Sequence, residues 1–224
     1  EINSCKDSPA DDIYDKFEEG FFAGHPLGRP ILGTAASVRK ITGRELKEFS
    51  SARFLPGNMA LSIVAGTEEK KLEQGILKLI ASYFGDHEGA RPPERVLSEA
   101  RPNIFHKRVE KKNYEVNAVF GGPAPTIYGG KDRFAAILLG NILGGPASNS
   151  LLNDELREKN GWVYGVETSY TQYSDAGVMA VSLGCDRSNL EKCLDGARKV
   201  ISRMQGKPLS ERRLKAAKKQ LLGQ

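Results

Sequence analysis

Apolar residues recur along this chain with two spacings, which separate predicted helices from predicted strands. Spacing of three and four residues predicts helices over residues 13–23, 43–54, 68–84, 132–143, 189–204 and 211–221. Alternation of apolar and polar residues predicts strands over residues 58–66, 104–110, 114–122, 163–170 and 176–184. Helices beside mainly antiparallel strands indicate the α+β class, with the helices on one face of each sheet.

Several helix starts and one turn are also predicted. Thr42 and Glu45 have the spacing of a capping box, and so do Ser188 and Glu191. Ser210 is in position to cap the last helix. The Ser174–Asp175 pair between two alternating runs predicts the turn of an antiparallel hairpin.

A segment rich in proline, glycine and charge divides the chain. Gly89, Pro92, Pro93 and Pro102 fall among charged residues between positions 87 and 102. Such a composition is typical of a linker between domains. We therefore predict two domains, residues 1–95 and residues 96–224.

The stretch from residue 144 to residue 170 places two reactive side chains close together. A short helix is expected to begin at Ser148 and to end at Asn160-Gly161, where the chain turns. Arg157 then lies in the last helical turn, and Tyr164 begins the next strand. A guanidinium and a phenol on such rigid elements can bind a carbonyl or a carboxylate from two directions.

Spacing alone favours structural roles for these two residues. Arg157 is a cation at a helix C-terminus, where the helix dipole stabilises positive charge. Tyr164 is an aromatic residue in a strand, where it can pack on a neighbour. The nearby Trp162 is expected to pack between helix and strand.

Composition narrows the class of protein. The 224 residues carry a formal net charge of +5, and basic runs at 107–112 and 212–219 hold much of the excess. These runs contain few aromatic residues, so solvated faces are favoured over nucleic-acid binding. No apolar run approaches the ~20 residues of a membrane span.

The cysteines and histidines limit which metal sites are possible. Cys5, Cys185 and Cys193 are odd in number and far apart, which argues against a disulfide framework and leans towards a reducing compartment. Cys193 falls on an apolar helix face. A hydrolytic zinc needs three protein ligands, but no two of the three histidines lie four residues apart. His25 is expected to bond to backbone or water.

The stretches 24–33 and 156–164 resemble the M16 metallopeptidases, a family that includes insulinase, pitrilysin and the mitochondrial processing peptidase. The family carries an arginine and a tyrosine seven residues apart, as Arg157 and Tyr164 are. The resemblance covers essentially the whole chain. It implies two-layer α/β sandwich domains of the LuxS/MPP-like metallohydrolase type. Residues 1–95 would form the C-terminal part of a first M16 domain, and residues 96–224 the N-terminal part of a second.

The resemblance implies a zinc-dependent endopeptidase that cleaves peptides or unfolded proteins enclosed between two domains. Tyr164 would contact the substrate carbonyl or oxyanion, and Arg157 would hold substrate backbone or a carboxylate. Glu1, followed by Asp7-Ser8-Pro9, resembles the position of the family's third zinc ligand. The family's His-x-x-Glu-His motif does not occur in these residues, so this fragment by itself is predicted to be inactive.

The resemblance also allows a function without catalysis. M16 relatives include subunits that lack the zinc motif and act as partners in homo- or heterodimers or as structural core proteins. Such a subunit would supply Arg157 and Tyr164 to a zinc-bearing partner. The residues that precede Glu1 would discriminate between the two functions.

Overall fold

The computed structural model describes residues 1–64, 66, 70–85, 100–111 and 114–223. The chain forms two compact units, one composed of Glu1–Gly33 with Leu97–Gln224 and the other of Thr34–Val96. The helices of the described residues are α1 (Ile2–Asp7), α2 (Pro9–Phe21), α3 (Ala35–Lys40), α4 (Gly43–Arg53), α5 (Lys70–Phe84), α6 (Gly130–Gly144), α7 (Leu190–Gly206) and α8 (Glu211–Leu222).

The first unit is built around a three-stranded antiparallel sheet. Its strands are β1 (Glu115–Pro123), β2 (Val163–Gln172) and β3 (Gly177–Asp186), in the order β1-β3-β2. Val181 of β3 lies between Phe120 of β1 and Thr168 of β2. The predicted hairpin between β2 and β3 is confirmed, and so is the α+β class.

One face of this sheet carries the main hydrophobic core of the unit. Alternate residues of β2 and β3 point towards α6, α7 and a π-helical segment at Asn153–Glu158. The buried residues of this core are Leu143, Leu152, Leu156, Val163, Val166, Val181, Leu183, Cys185, Cys193, Ala197 and Val200. Cys193 is therefore a core residue, as its place on the apolar helix face predicted.

The other face of the sheet is covered by α2. Phe17, Phe21 and Phe22 pack with Val178 and Ala180 of β3 in a second buried cluster. Helices on one face were expected, but in this unit the sheet has helices on both. The additional helix comes from the N-terminal end of the chain, and the spacing within β3 does not identify that partner.

The predicted strand at Ile104–Glu110 is wrong, since these residues form no strand. Ile104 is 99% exposed, whereas the ring of Phe105 lies 6.1 Å from that of Phe17. Lys107 pairs with Glu19 of α2 at 3.3 Å. The segment is thus held along α2 by its side chains, and its backbone joins no ladder.

The second unit consists of helices and irregular segments. Thr42 and Glu45 form the predicted capping box at the start of α4, with both reciprocal hydrogen bonds present. The predicted strand at 58–66 is wrong for its described residues, 58–64 and 66. Leu61 is 62% exposed. A buried strand needs neighbours to bond its N–H and C=O groups, and none of the described residues provides one.

Other predicted helix starts have mixed outcomes. Ser210 accepts a hydrogen bond from the N–H of Arg213 and caps α8, as predicted. Ser188 does not cap α7, because a 3-10 turn at Arg187–Asn189 precedes that helix and no side chain caps it. The cap expected at Thr67 lies outside the described residues.

The predicted division into residues 1–95 and 96–224 stays a prediction, and most of the proposed linker lies outside the described residues. Within the described part of the chain, no helix has the length and apolar character needed to cross a membrane.

Candidate functional site

Arg157 lies in the π-helical segment Asn153–Glu158, which links α6 to β2. The N–H of Lys159 bonds the carbonyl of Asp154, five residues earlier, at 3.0 Å. Such wide turns are uncommon and occur often at functional sites. Leu156 is buried completely, while Arg157 is exposed, so the segment buries one side and presents the guanidinium on the other.

Asn153 ties the π-helical segment to the sheet. Its side chain is buried, and its amide nitrogen donates to the Ser150 hydroxyl at 2.8 Å and to the Val166 carbonyl at 3.3 Å. Gly145 O lies 3.4 Å from the same nitrogen. A buried amide that reaches three acceptors fixes the orientation of the segment relative to β2.

A glycine turn separates Arg157 from Tyr164. Gly161 has a φ of +60°, a conformation that disfavours residues with a Cβ. Its N–H bonds the carbonyl of Arg157 at 2.9 Å, and the N–H of Trp162 bonds the carbonyl of Leu156 at 2.9 Å. The turn predicted at Asn160-Gly161 is confirmed, and it closes the helical segment just before β2.

Tyr164 lies at a β-bulge. Val163 pairs with Cys185, and Gly165 pairs with Gly184, so Tyr164 is the extra residue between two consecutive partners. A bulge of this kind re-aims a side chain and is common near active sites. Val163 and Val166 remain buried, and Tyr164 is 58% exposed.

The phenol of Tyr164 has one defined partner. Its hydroxyl donates to Oδ1 of Asp186, the last residue of β3, at 2.6 Å. This hydrogen bond raises the pKa of Tyr164, and the negative charges of Asp186 and Glu115 raise it further. The group therefore stays a protonated hydrogen-bond donor at neutral pH.

Arg157 presents a free guanidinium. Its side chain has no hydrogen-bond or ion-pair partner among the residues that the structure describes. The neighbouring charges are engaged elsewhere: Lys159 pairs with Asp154 at 2.7 Å, and Glu155 pairs with Arg203 at 2.8 Å. The guanidinium can therefore bind an anion or a carbonyl without breaking an existing contact.

Glu1 does not share this arrangement. It is exposed and precedes α1, where its carbonyl accepts from the N–H of Cys5 at 2.9 Å. Across the described ranges, no three His, Cys, Asp or Glu side chains cluster to hold a metal ion. A single carboxylate does not make a zinc site, so the residues present do not fit that ion by themselves.

Two minor candidates have the structural roles expected of them. The Nδ1 atom of His25 accepts from the N–H of Leu27 at 3.3 Å, which confirms a loop histidine bonded to backbone. Trp162 is partly buried and packs against the main core.

Sequence reasoning missed Asn153, Asp186 and the bulge. An aspartate directly before a helix is usually interpreted as an N-cap, and that signal concealed Asp186. The spacing of Gly165, one residue after Tyr164 in an alternating run, was the available hint of a bulge.

A family model described as the peptidase M16 inactive domain matches residues 40–221. The chain therefore belongs to the M16 peptidase family, as the resemblance in its sequence implied.

Its relatives carry names of one kind. The chain is 26% identical over 225 residues to YmxG, named an uncharacterized zinc protease of Bacillus subtilis, and the match covers 100% of this chain and 53% of that protein. It is 28% identical over 193 residues to an uncharacterized zinc protease of Mycobacterium tuberculosis, covering 83% of this chain and 42% of that protein. The chain thus spans about half the length of the relatives it matches.

Solved structures share the fold. An M16 inactive domain from Pseudomonas fluorescens superposes with a TM-score of 0.86 at 21% identity, over 99% of this chain and 52% of that one. A chain of complex III from Candida albicans superposes with a TM-score of 0.77 at 16% identity, over 98% of this chain and 52% of that one.

Proposed function

We propose that this chain is part of a zinc-dependent endopeptidase and supplies the groups that hold the substrate. The observation that carries the proposal is the exposed guanidinium of Arg157 and the exposed phenol of Tyr164 on either side of one glycine turn. The membership of the M16 family and the relatives named zinc proteases support it.

Each side chain has a role suited to its chemistry. Tyr164 donates its hydroxyl proton to a substrate carbonyl, whose oxygen gains negative charge when the carbonyl is attacked. Arg157 holds substrate backbone or a carboxylate, for which its planar fork of donors is well shaped. The substrate is a peptide or an unfolded protein chain, enclosed between two domains of the full-length protein.

Zinc, when bound, supplies a Lewis acid and a water of lowered pKa. Glu1 contributes one carboxylate ligand, and the other ligands come from a segment outside this chain. The fragment on its own is therefore inactive, and it acts by binding and orienting the substrate.

The test uses the full-length protein and a peptide substrate. Tyr164→Phe removes only the hydroxyl, and we expect kcat/KM to fall about 10²-fold, as for the loss of an oxyanion donor. Arg157→Lys keeps the charge and loses the bidentate geometry, so KM should rise. Tyr128→Phe and Arg212→Lys are matched controls, since both residues are exposed and have no role in the proposal. Unchanged kcat and KM in Tyr164→Phe would remove Tyr164 from the mechanism.

The alternative is a partner subunit without catalysis that supplies Arg157 and Tyr164 to a zinc-bearing subunit. The description of the matching model as an inactive domain favours it. The two functions differ in one measurement. Full-length protein that cleaves peptide alone, and loses activity with a chelator, supports the enzyme; activity that appears only when a zinc-bearing partner is added supports the partner subunit.

A further inference from the structure

The carboxylate of Asp186 is committed to Tyr164 and to no other described group. It stands at the N-cap position of the 3-10 turn Arg187–Asn189 but makes no side-chain capping bond. Its Oδ1 instead accepts the proton of Tyr164 at 2.6 Å, a length typical of hydrogen bonds to a charged acceptor. The neighbouring Arg187 pairs with Glu110 at 3.1 Å.

The position of this contact in the sheet has a consequence for Tyr164. At a bulge the side chain leaves the regular alternation, and Tyr164 is 58% exposed, with little packing to select one rotamer. Asp186 ends the adjacent strand β3, whose backbone is held on both sides by β1 and β2. The carboxylate therefore connects a loosely packed ring to the most rigid part of the unit.

We propose that Asp186 is a positioning residue that holds the phenol of Tyr164 in the orientation in which it meets the substrate. In the free protein the carboxylate keeps the ring in one rotamer, and a substrate carbonyl then replaces the carboxylate as acceptor of the same proton. No covalent bond changes in this exchange. The proposal depends on the proposed function of Tyr164 as a substrate contact.

The charges that face the phenol agree with this role. Glu115 lies opposite Asp186 in the ladder between β1 and β3, and its charge also acts on Tyr164. Both carboxylates favour the protonated phenol, so the group remains a donor over the neutral range. Of the two, Asp186 is the hydrogen-bond acceptor in the structure.

Kinetics of the full-length protein test the proposal through the division between KM and kcat. Asp186→Ala frees the ring, and we expect KM to rise about three- to tenfold with little change in kcat, the cost of immobilising one side chain on binding. Asp186→Asn keeps an acceptor oxygen in place and should restore KM to near the wild-type value. Glu115→Gln is the matched control and should leave KM unchanged.

A double mutant separates positioning from an independent effect. In a Tyr164→Phe background, Asp186→Ala should cause no further rise in KM. An equal rise in both backgrounds would overturn the proposal, and so would a wild-type KM for Asp186→Ala alone.

A spectroscopic measurement keeps the two proposals distinguishable. The phenol pKa of Tyr164 can be followed by NMR of ¹³C-tyrosine protein, with the signal assigned by its loss in Tyr164→Phe. Asp186→Ala and Asp186→Asn should both lower that pKa, because each removes the negative acceptor. An unchanged pKa overturns the contact itself. If the pKa falls while Tyr164→Phe leaves the kinetics unchanged, the contact exists but the proposed function of Tyr164 has failed, and the positioning proposal fails with it.

Discussion

At the scale of single residues, the candidate site is supported by buried polar contacts rather than by its exposed side chains. Asn153 is 7% exposed and reaches acceptors on the preceding loop and on β2. A buried amide with partners adds specificity to a core, because any other orientation leaves those groups unpaired. Arg157, four residues later, inherits its direction from this anchor.

We predict that Asn153→Ala lowers the free energy of unfolding by about 1–3 kcal/mol, because it leaves the Val166 carbonyl without this donor. Urea denaturation measures the change. Asn160→Ala is the control, since Asn160 lies at the end of the same segment but is exposed and bonds only the Glu155 carbonyl in the described contacts. Its effect should stay within about 0.5 kcal/mol. Equal losses in the two variants would contradict the assigned role of Asn153.

At the scale of elements, the packing of α7 determines where the π-helical segment lies. Gly196 faces this segment, and a Cβ at that position would lie 2.6 Å from Cδ2 of Leu156 and 3.3 Å from Cζ3 of Trp162. The close approach is possible only because glycine has no side chain. Leu156 and Trp162 flank the turn that separates Arg157 from Tyr164.

Two glycines of α7 therefore respond differently to the same substitution. Gly196→Ala should destabilise the protein by about 1–3 kcal/mol through overpacking against Leu156. Gly206→Ala, at the end of the same helix, meets open space and should be neutral or stabilising by up to about 1 kcal/mol, because alanine favours the helix. Thermal unfolding of both variants measures the difference. Stabilisation by Gly196→Ala would show that the interface has room for a methyl group.

At the scale of the whole molecule, the first unit joins parts of the chain that are far apart in sequence. Asp12 of α2 pairs with Lys111 at 2.6 Å and with Lys16 at 2.5 Å. The hydroxyl of Tyr14 donates to Ser182 Oγ at 2.7 Å. These contacts fasten α2 onto β3 and onto the segment that precedes β1, across the second hydrophobic cluster.

This attachment should depend on pH. Burial by itself raises the pKa of Asp12, but the hydrogen bonds from Lys111 and Lys16 outweigh it and hold the pKa below its ordinary value of 3.8. A lowered pKa means that the ionised group stabilises the fold above the ordinary pKa and that this stability is lost as pH falls through the folded pKa.

We therefore expect Asp12→Asn to cost about 1 kcal/mol at pH 7 and nothing at a pH below the lowered pKa. Urea denaturation at a series of pH values measures this difference. Asp11→Asn is a matched control, because Asp11 lies in the same first turn of α2 but is exposed and has no ion pair among the described residues. A difference between Asp12→Asn and the wild type that persists at low pH would contradict the ionic origin.

The sequence by itself determined the local features of this protein. The helices, the capping boxes at Thr42 and the cap at Ser210, the turn at Gly161 and the burial of Cys193 all depend on residues within a few positions of one another. Helical hydrogen bonds and caps are local, so spacing and side-chain chemistry suffice to predict them. The adjacency of Arg157 and Tyr164 across the turn follows for the same reason.

Only the tertiary structure decided which distant groups meet. The expected strands at 58–66 and 104–110 have the right alternation, but a strand forms only where another backbone bonds it. The bulge at Tyr164, its contact with Asp186, 22 residues away, and the packing of α2 on β3 likewise depend on register and docking. These are set by the summed fit of the core, which no short stretch of sequence contains.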